Sequence, residues 1–423
     1  MAGYNGYGNN RGNNGFGNAN GGELFVNPYH FVSLQKKGRV QAEKVSSEGD
    51  VLTGYISCRI SIKTPLVLPD SSDKTGEKYN FYNVSGRPVI PGSGIRGCIR
   101  STYEAVTNSC LSVLTPKEKI SRNAFMPVFD LVRNTNECYV PCNGKNICPA
   151  CNLFGAFGNA SRLRFTDAVL CEDKPYRADT EYFAFPRMES PKLSKSSLFY
   201  TKNPNSRFNG KCYPVWRLEG RDGTEINGRK FYFHRFPINL CKGDPDNYCI
   251  AAKKVNEGTF SFKVYFDKIS ESELKQLLWV LSLGDNREGS AYMHKMGRGR
   301  PLGFGSVKIT VEENGVALRN VSGEDYSVNL KSYPDFMGDE TCSTLGLDEA
   351  CVKQLLKILN FNYLKGATVE YPYIIDRNGR RKSGFEWFGK NAYTDPNRRK
   401  IGYKQILPVI PDDETKKPTL KSY

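Results

Sequence analysis

The chain has 423 residues, 39% hydrophobic and 25% charged, with 40 Gly and 23 Pro, enough for a turn-rich core in two or three domains or in one domain with large insertions. Sixty Lys and Arg against 44 Asp and Glu leave a formal net charge of +16, which points to a polyanionic partner. No apolar leader region and no apolar run long enough to cross a membrane is present, so the expectation is a cytoplasmic protein without a membrane span.

In chain order, residues 1–22 are mostly Gly, Asn and Tyr with Arg11 as the only charge, and they read as a disordered tail. A polar lead-in covers 27–49. Residues 53–63 alternate, with Ile56, Cys58, Ile60 and Ile62 on one face and Tyr55, Ser57, Arg59 and Ser61 on the other, which predicts a strand with one buried face. Residues 65–85 read as a polar loop. Residues 87–90 then lead into Ile90-Pro-Gly-Ser-Gly-Ile-Arg-Gly97, where Ser93 is a plausible N-cap. Ile95, Ile99, Tyr103 and Val106 form the stripe of a helix running to about Thr107. A cysteine-rich insertion follows at 138–151, then a strand at 162–170. Residues 176–256 are irregular, aromatic and basic. A second clean strand covers 258–267, with Phe260, Phe262, Val264 and Phe266 on one face. Ser270 caps a helix whose stripe is Leu274, Leu277, Leu278 and Leu281 and which stops at Gly284. A loop at 285–302 and a strand at 305–311 complete a second strand–helix–strand unit. Two such units on one antiparallel sheet predict an α+β fold of the ferredoxin-like, RRM-like kind with long insertions. The expected unit spans 23–313, and 314–423 form an extension with a helix at 347–359 and an aromatic, basic tail.

Two loops carry the chemistry. In the first, glycines and a helix N-terminus favour an anion, and Arg96 and Arg100 stand four apart on the first turns. Gly92-Ser-Gly-Ile-Arg-Gly97 also matches the dinucleotide pattern G-x-G-x-x-G, but no strand ending on an acidic residue follows it. The second loop runs from His294 to Gly305. It gathers Lys295, Arg298, Arg300 and Phe304 among four glycines, a set able to hold phosphates, and a flexible surface loop is the plain alternative. With 24 Tyr and 24 Phe beside the excess of cations, the composition suits single-stranded nucleic acid, which needs charge for phosphates and ring faces for bases.

Thirteen cysteines in a reducing compartment favour metal binding or free thiols over disulfides. Cys138, Cys142, Cys148 and Cys151 lie in one short segment, and Cys148-Pro-Ala-Cys151 has the spacing of a zinc knuckle. The expectation is a structural Zn2+ that folds an insertion poor in apolar residues, with a disulfide pair or unligated thiols as the alternatives.

The glycine turn is followed in order by Cys148-Pro-Ala-Cys-Asn-Leu-Phe-Gly155, Ser161-Arg-Leu-Arg-Phe-Thr-Asp167 and Met296-Gly-Arg-Gly-Arg-Pro-Leu-Gly-Phe-Gly-Ser-Val-Lys308. This succession resembles the RAMP superfamily of CRISPR-associated proteins over roughly residues 52–313, and above all the backbone subunits of type III and type III-derived effector complexes. The resemblance implies an RRM-like fold, a zinc-binding insertion and a role in antiviral defence. Guide RNA would be held by Ser93, Arg96, Arg100, Arg298, Arg300 and Phe304, with His294 and Lys295 beside them. It also implies target RNA, other effector subunits and a separate nuclease as partners. Type III backbone subunits often cut target RNA with an aspartate in the loop before the glycine turn. Here residues 75–83 hold no aspartate, and Asp70 and Asp73, earlier in that loop, are the substitutes to weigh. Two other readings compete with guide-RNA binding. One is an endoribonuclease that processes repeat RNA through His294 and Lys295; the other is an assembly adaptor that contacts neighbouring proteins.

Overall fold

The structure, a computed structural model, describes residues 22–35, 40–42, 51–75, 78–111, 139, 141–142, 146–186, 205–208, 211–214, 227–237, 249–322, 325–376, 378–379, 381–382, 384–394 and 400–423. The principal elements are β1 (Val51–Ile62), β2 (Arg87–Ile90), α1 (Gly92–Val106), α2 (Pro149–Phe154), β3 (Leu163–Phe165), β4 (Ala168–Leu170), β5 (Thr259–Ser270), α3 (Glu271–Ser282), β6 (Ser306–Ser322), β7 (Asp325–Lys331) and α4 (Glu349–Ile358). The fold is α+β. Its main sheet is antiparallel and ordered β6–β1–β5, with β3 and β4 side by side on the far edge of β5 and β2 beyond β4.

Alternation decides which face of this sheet is covered. Ile56, Cys58 and Ile60 of β1 and Phe260, Phe262, Val264 and Phe266 of β5 are buried. They share one core with Ile95, Ile99, Tyr103 and Val106 of α1 and with Leu274, Leu277, Leu278 and Leu281 of α3. Both helices therefore lie on one face, and among the described residues no helix lies on the face carrying Tyr55, Ser57 and Arg59. The N-terminus of α3 is held by a capping box: Ser270 Oγ accepts from Glu273 N at 3.1 Å, and Glu273 Oε2 accepts from Ser270 N at 3.0 Å. Arg162 donates to the same carboxylate and so ties β3 to the helix.

Several expectations need adjusting. Residues 65–85 are not simply a polar loop, because Pro69–Thr75 and Lys78–Phe81 are strands of a small second sheet with Cys249–Ala252 and Phe183–Pro186. The strand expected at 162–170 is split in two, because Asp167 leaves the ladder to accept a hydrogen bond from Gly92 N at 2.7 Å. The strand expected to end at Val311 runs on to Ser322. Its pairing with β1 slips between Val311 and Val316, where Asn314 takes a positive φ and Gly315 follows, so a bulge looks like a turn in the sequence. The polar lead-in contains the strand Tyr29–Val32, paired with Arg229–Tyr232 from the irregular insertion. Strand β6 crosses residue 313, and Val352, Leu355 and Ile358 of α4 join the core of the sheet. Among the described residues no helix is long and apolar enough to cross a membrane. The expected tail at 1–22 lies outside the described residues apart from Gly22.

Candidate nucleic-acid interface and metal centre

The two glycine loops meet. Cys98, in α1, lies 3.6 Å from the Lys295 carbonyl and 3.8 Å from His294 Nδ1, so the second loop runs along the side of the helix that the first loop opens. The glycines have different jobs. A Cβ on Gly92 would fall 2.6 Å from the carbonyl oxygens of Phe165 and Thr166, so this glycine lets the helix start sit against the sheet edge. A Cβ on Gly94 or Gly97 would meet nothing within 4 Å, and these two expose helix backbone. Gly305, at φ 74°, packs so closely on the Met296 carbonyl that a Cβ would lie 1.8 Å from its oxygen.

Ser93 is exposed in the first turn and is not the cap. The N-cap is Pro91, which supplies no side-chain bond, and the first turn carries no acid. Asp167 accepts from Gly92 N, and Gly94 N and Ile95 N both donate to the Pro91 carbonyl, so the start of α1 is largely satisfied and the attraction for an anion rests on the cations of the second loop. Arg298 and Arg300 are exposed on the adjoining loop, and the Arg300 guanidinium lies 4.8 Å from the centre of the Tyr232 ring. Next to it Lys230 Nζ sits 3.7 Å from the centre of Tyr29. Burial, then the neighbouring Arg300, pushes the Lys230 pKa down to about 7. Lys230 and Tyr232 belong to the run Arg229-Lys-Phe-Tyr-Phe-His234. Its basic-aromatic composition was visible, but its pairing beside the glycine loops was not.

Other residues expected here have different surroundings. Arg96 and Arg100 face the cysteine segment. Arg96 donates to the Phe154 carbonyl, while Arg100 bonds Glu104 at 2.8 Å, the Gly155 carbonyl at 3.1 Å and Cys151 Sγ at 3.5 Å. His294 is 1% exposed, with Nε2 3.1 Å from the carbonyls of Val280 and Leu281, so that nitrogen carries the proton; burial lowers its pKa to about 4. Lys295 is also buried and donates to the Phe304 carbonyl at 2.9 Å. Phe304 is stacked on Phe183 in a small core with Val67, Ile250 and Leu302. The side chains of His294, Lys295 and Phe304 are thus enclosed rather than offered to RNA, because the glycines on either side fold the loop back onto the body. His30 and His234 are packed among aromatic side chains, each bonded through Nε2 to a backbone carbonyl. Asp70 is buried and accepts from Ser72 N at 2.9 Å and Ser72 Oγ at 2.6 Å, as the start of a local turn rather than an open carboxylate. Asp73 is a residue of the strand Pro69–Thr75.

The candidate metal centre lies between the end of α1 and α2. Cys110 just beyond α1, Cys142, Cys148 at the N-cap of α2 and Cys151 within it are all buried, and their sulfurs lie within 4.8 Å of one another. A tetrahedron with Zn–S bonds of about 2.3 Å separates its sulfurs by about 3.8 Å, so the set has the size a zinc ion requires. Cys110 and Cys151 Sγ are 3.5 Å apart. The backbone N–H groups of Cys110 and Cys148 point at Cys148 and Cys142 Sγ, each at 3.4 Å. None of the four is in a disulfide. Cys138 lies outside the described residues, and the fourth thiol here is Cys110, more than thirty positions before Cys142. No spacing rule links so distant a cysteine to a C-x-x-C pair. The only signal was its place just past the end of the glycine-loop helix. All four positions would be filled by protein, so a bound ion cross-links the end of α1 to α2 and has no open position for chemistry.

A search of curated proteins found no match. The RAMP superfamily model matches residues 44–308, more than half of the chain, and takes in both glycine loops, the four clustered cysteines and the sheet from β1 to the start of β6. The protein is accordingly a member of the CRISPR-associated RAMP superfamily.

Proposed function

We propose that the protein is a guide-RNA-binding backbone subunit of a type III or type III-derived CRISPR effector ribonucleoprotein, acting in antiviral defence. One observation carries this reading: the second glycine loop meets α1 at Cys98 and sets exposed Arg298 and Arg300 beside the Lys230–Tyr232 pair, in a chain of net charge +16. Exposed backbone and forked cations hold phosphates and the rings offer stacking, without reading sequence. The strand order supports an RRM-like unit. The first, third and fourth long strands are adjacent in the order fourth–first–third, the split strand β3 and β4 stands second, and helices follow the first and third. The four thiols suit a structural zinc ion.

Guide RNA, target RNA and neighbouring effector subunits are the partners this reading requires. The repeat-processing alternative rested on His294 and Lys295, both enclosed, which favours a non-catalytic subunit. Target cleavage would fall to Asp73 or to a separate nuclease, and complementary RNA added to the assembled complex would separate them: cuts lost in Asp73→Ala assign them to this chain. The central experiment isolates the natively expressed protein and sequences the RNA bound to it. Guide RNA in the wild type, and its loss in a folded Arg298→Glu/Arg300→Glu variant, is the expected result; RNA retained by that variant would overturn the placement.

A further inference from the structure

The face of the main sheet on which no described helix lies holds a second assembly of rings and cations, separate from the glycine loops. Tyr55 on β1 and Tyr265 on β5 are direct partners in the ladder, their ring centres 5.8 Å apart at 52°. Residues opposite one another in a ladder share a face. The row through this pair therefore reads Leu330, Ala317, Tyr55, Tyr265 and Arg164 across five strands. Lys263 Nζ lies 4.4 Å from the centre of Tyr55, and the Arg319 guanidinium 5.9 Å from that of Tyr265. A depression of about 560 Å³ opens beside Tyr265, with Thr53, Arg164, Asp267 and Arg319 on its walls.

The charge on this face is unbalanced. Asp267 accepts from Thr53 Oγ1 at 3.0 Å and Glu312 is paired with Arg59 at 2.9 Å. Lys263, Arg164 and Arg319 are exposed and form no ion pair among the described residues. Lys263 and Arg319 lie over the tyrosine rings as cation–π partners, on long exposed side chains that can swing aside for a base. Tyr55 is seven residues from Ile62, where β1 reaches the start of β6 and the glycine loop, so the two surfaces are about 23 Å apart along the strand.

We infer that this open sheet face is a second RNA-binding surface, where the Tyr55–Tyr265 pair stacks bases of a single strand and Lys263, Arg164 and Arg319 hold its phosphates. Two adjacent rings with cations on either side combine the stacking platform and the phosphate-binding charge that a single strand requires. Tyr326, Val328 and Leu330 on β7, all exposed, extend the same rows with apolar contact. Lys263, Arg164 and Arg319 outnumber Asp267, the carboxylate on this face that forms no ion pair among the described residues, and a phosphate backbone supplies the missing counter-charge.

The test uses the full-length protein and fluorescent 20-nucleotide single-stranded RNA, one oligouridine and one oligoadenine. Tyr55→Ala/Tyr265→Ala is expected to weaken binding about ten- to a hundredfold, while Tyr55→Phe/Tyr265→Phe, which keeps both rings, stays within about threefold. Lys263→Glu/Arg319→Glu changes only exposed side chains and should reproduce the loss even if the alanine pair fails to fold. Ultraviolet cross-links from 4-thiouridine RNA should map to Tyr55 or Tyr265 and persist in Arg298→Glu/Arg300→Glu. Wild-type RNA binding with no change in the face variants and no such cross-link overturns this inference and leaves the glycine-loop reading standing. The same holds if the face variants keep RNA but lose a co-purifying protein, which would make the face a protein interface. A wild type that binds no RNA overturns both.

Discussion

Replacing Cys110 with serine separates the geometry of the metal centre from the spacing of its cysteines. The four clustered sulfurs belong to Cys110, Cys142, Cys148 and Cys151. A serine at 110 leaves three thiolates and a neutral hydroxyl, and zinc binding should weaken by orders of magnitude. The stability at stake follows from what the ion holds in place. Helix α2 has only six residues, too few to persist unaided. It fully buries Leu153 and Phe154 against α1 and the sheet. Losing that packing costs about 1.5–3 kcal/mol per side chain, or about 3–6 kcal/mol together. At about 2–4 °C per kcal/mol for a large domain, the melting transition should fall by roughly 6–24 °C. Metal analysis of protein purified without added zinc, together with calorimetry, measures both effects. One zinc per chain in the wild type and in Cys138→Ser, but little in Cys110→Ser, is the expected pattern. A Cys110→Ser protein that keeps a full equivalent of zinc and its melting point, or a Cys138→Ser protein that loses both, would refute the assignment.

Other outcomes follow from single contacts. Arg298→Glu/Arg300→Glu should reduce the slope of log binding constant against log salt for single-stranded RNA by about 1.4, two phosphates at about 0.7 each, as read from a titration series; an unchanged slope would remove both residues from the interface. His294 has a pKa of about 4 when folded, against about 6.5 when exposed. Between those values the unfolded chain takes a proton that the folded one refuses, so stability present above pH 6.5 is lost as pH falls towards 4, by up to about 3 kcal/mol. Denaturant midpoints at several pH values should show this, and His294→Gln should flatten the dependence. Gly305→Ala places a Cβ against the Met296 carbonyl at positive φ and should cost about 2 kcal/mol or more, whereas Gly94→Ala, helical and open, should stabilise by up to about 1 kcal/mol. Equal shifts in melting temperature would contradict the different roles given to these glycines.

Elements governed by local periodicity were legible in the chain. The alternation in β1 and β5, the stripes of α1 and α3 and the Ser270 cap all appear where side-chain pattern and capping chemistry place them. What escaped depends on partners distant in sequence. Ser93 has the chemistry of an N-cap, yet Asp167, from the break between β3 and β4, accepts the bond from Gly92 N. Arg96 and Arg100 have the spacing of a phosphate clamp, but α2 brings backbone carbonyls within their reach. Phe304 looked exposed amid glycines and cations until Phe183 came to lie over it from the irregular insertion. The second row of residues on β1 looked like an ordinary solvated face, because only ladder register sets Tyr55 opposite Tyr265.

The position of β1 has a consequence for how the protein is made. This strand lies at the centre of the sheet, but both of its neighbours come from far downstream; the Ser306 backbone N–H that bonds Thr64 Oγ1, just past its end, is separated from it by 242 residues. At a synthesis rate of about 5–20 residues per second, β1 leaves the ribosome roughly 10–50 s before β6 exists to pair with it. During that interval Ile56, Cys58, Ile60 and Ile62 form an apolar row on an unpaired strand, a template for aggregation. The nascent chain therefore depends on a chaperone or on slow local structure in the intervening insertions, and translation speed through residues 63–305 becomes a determinant of yield.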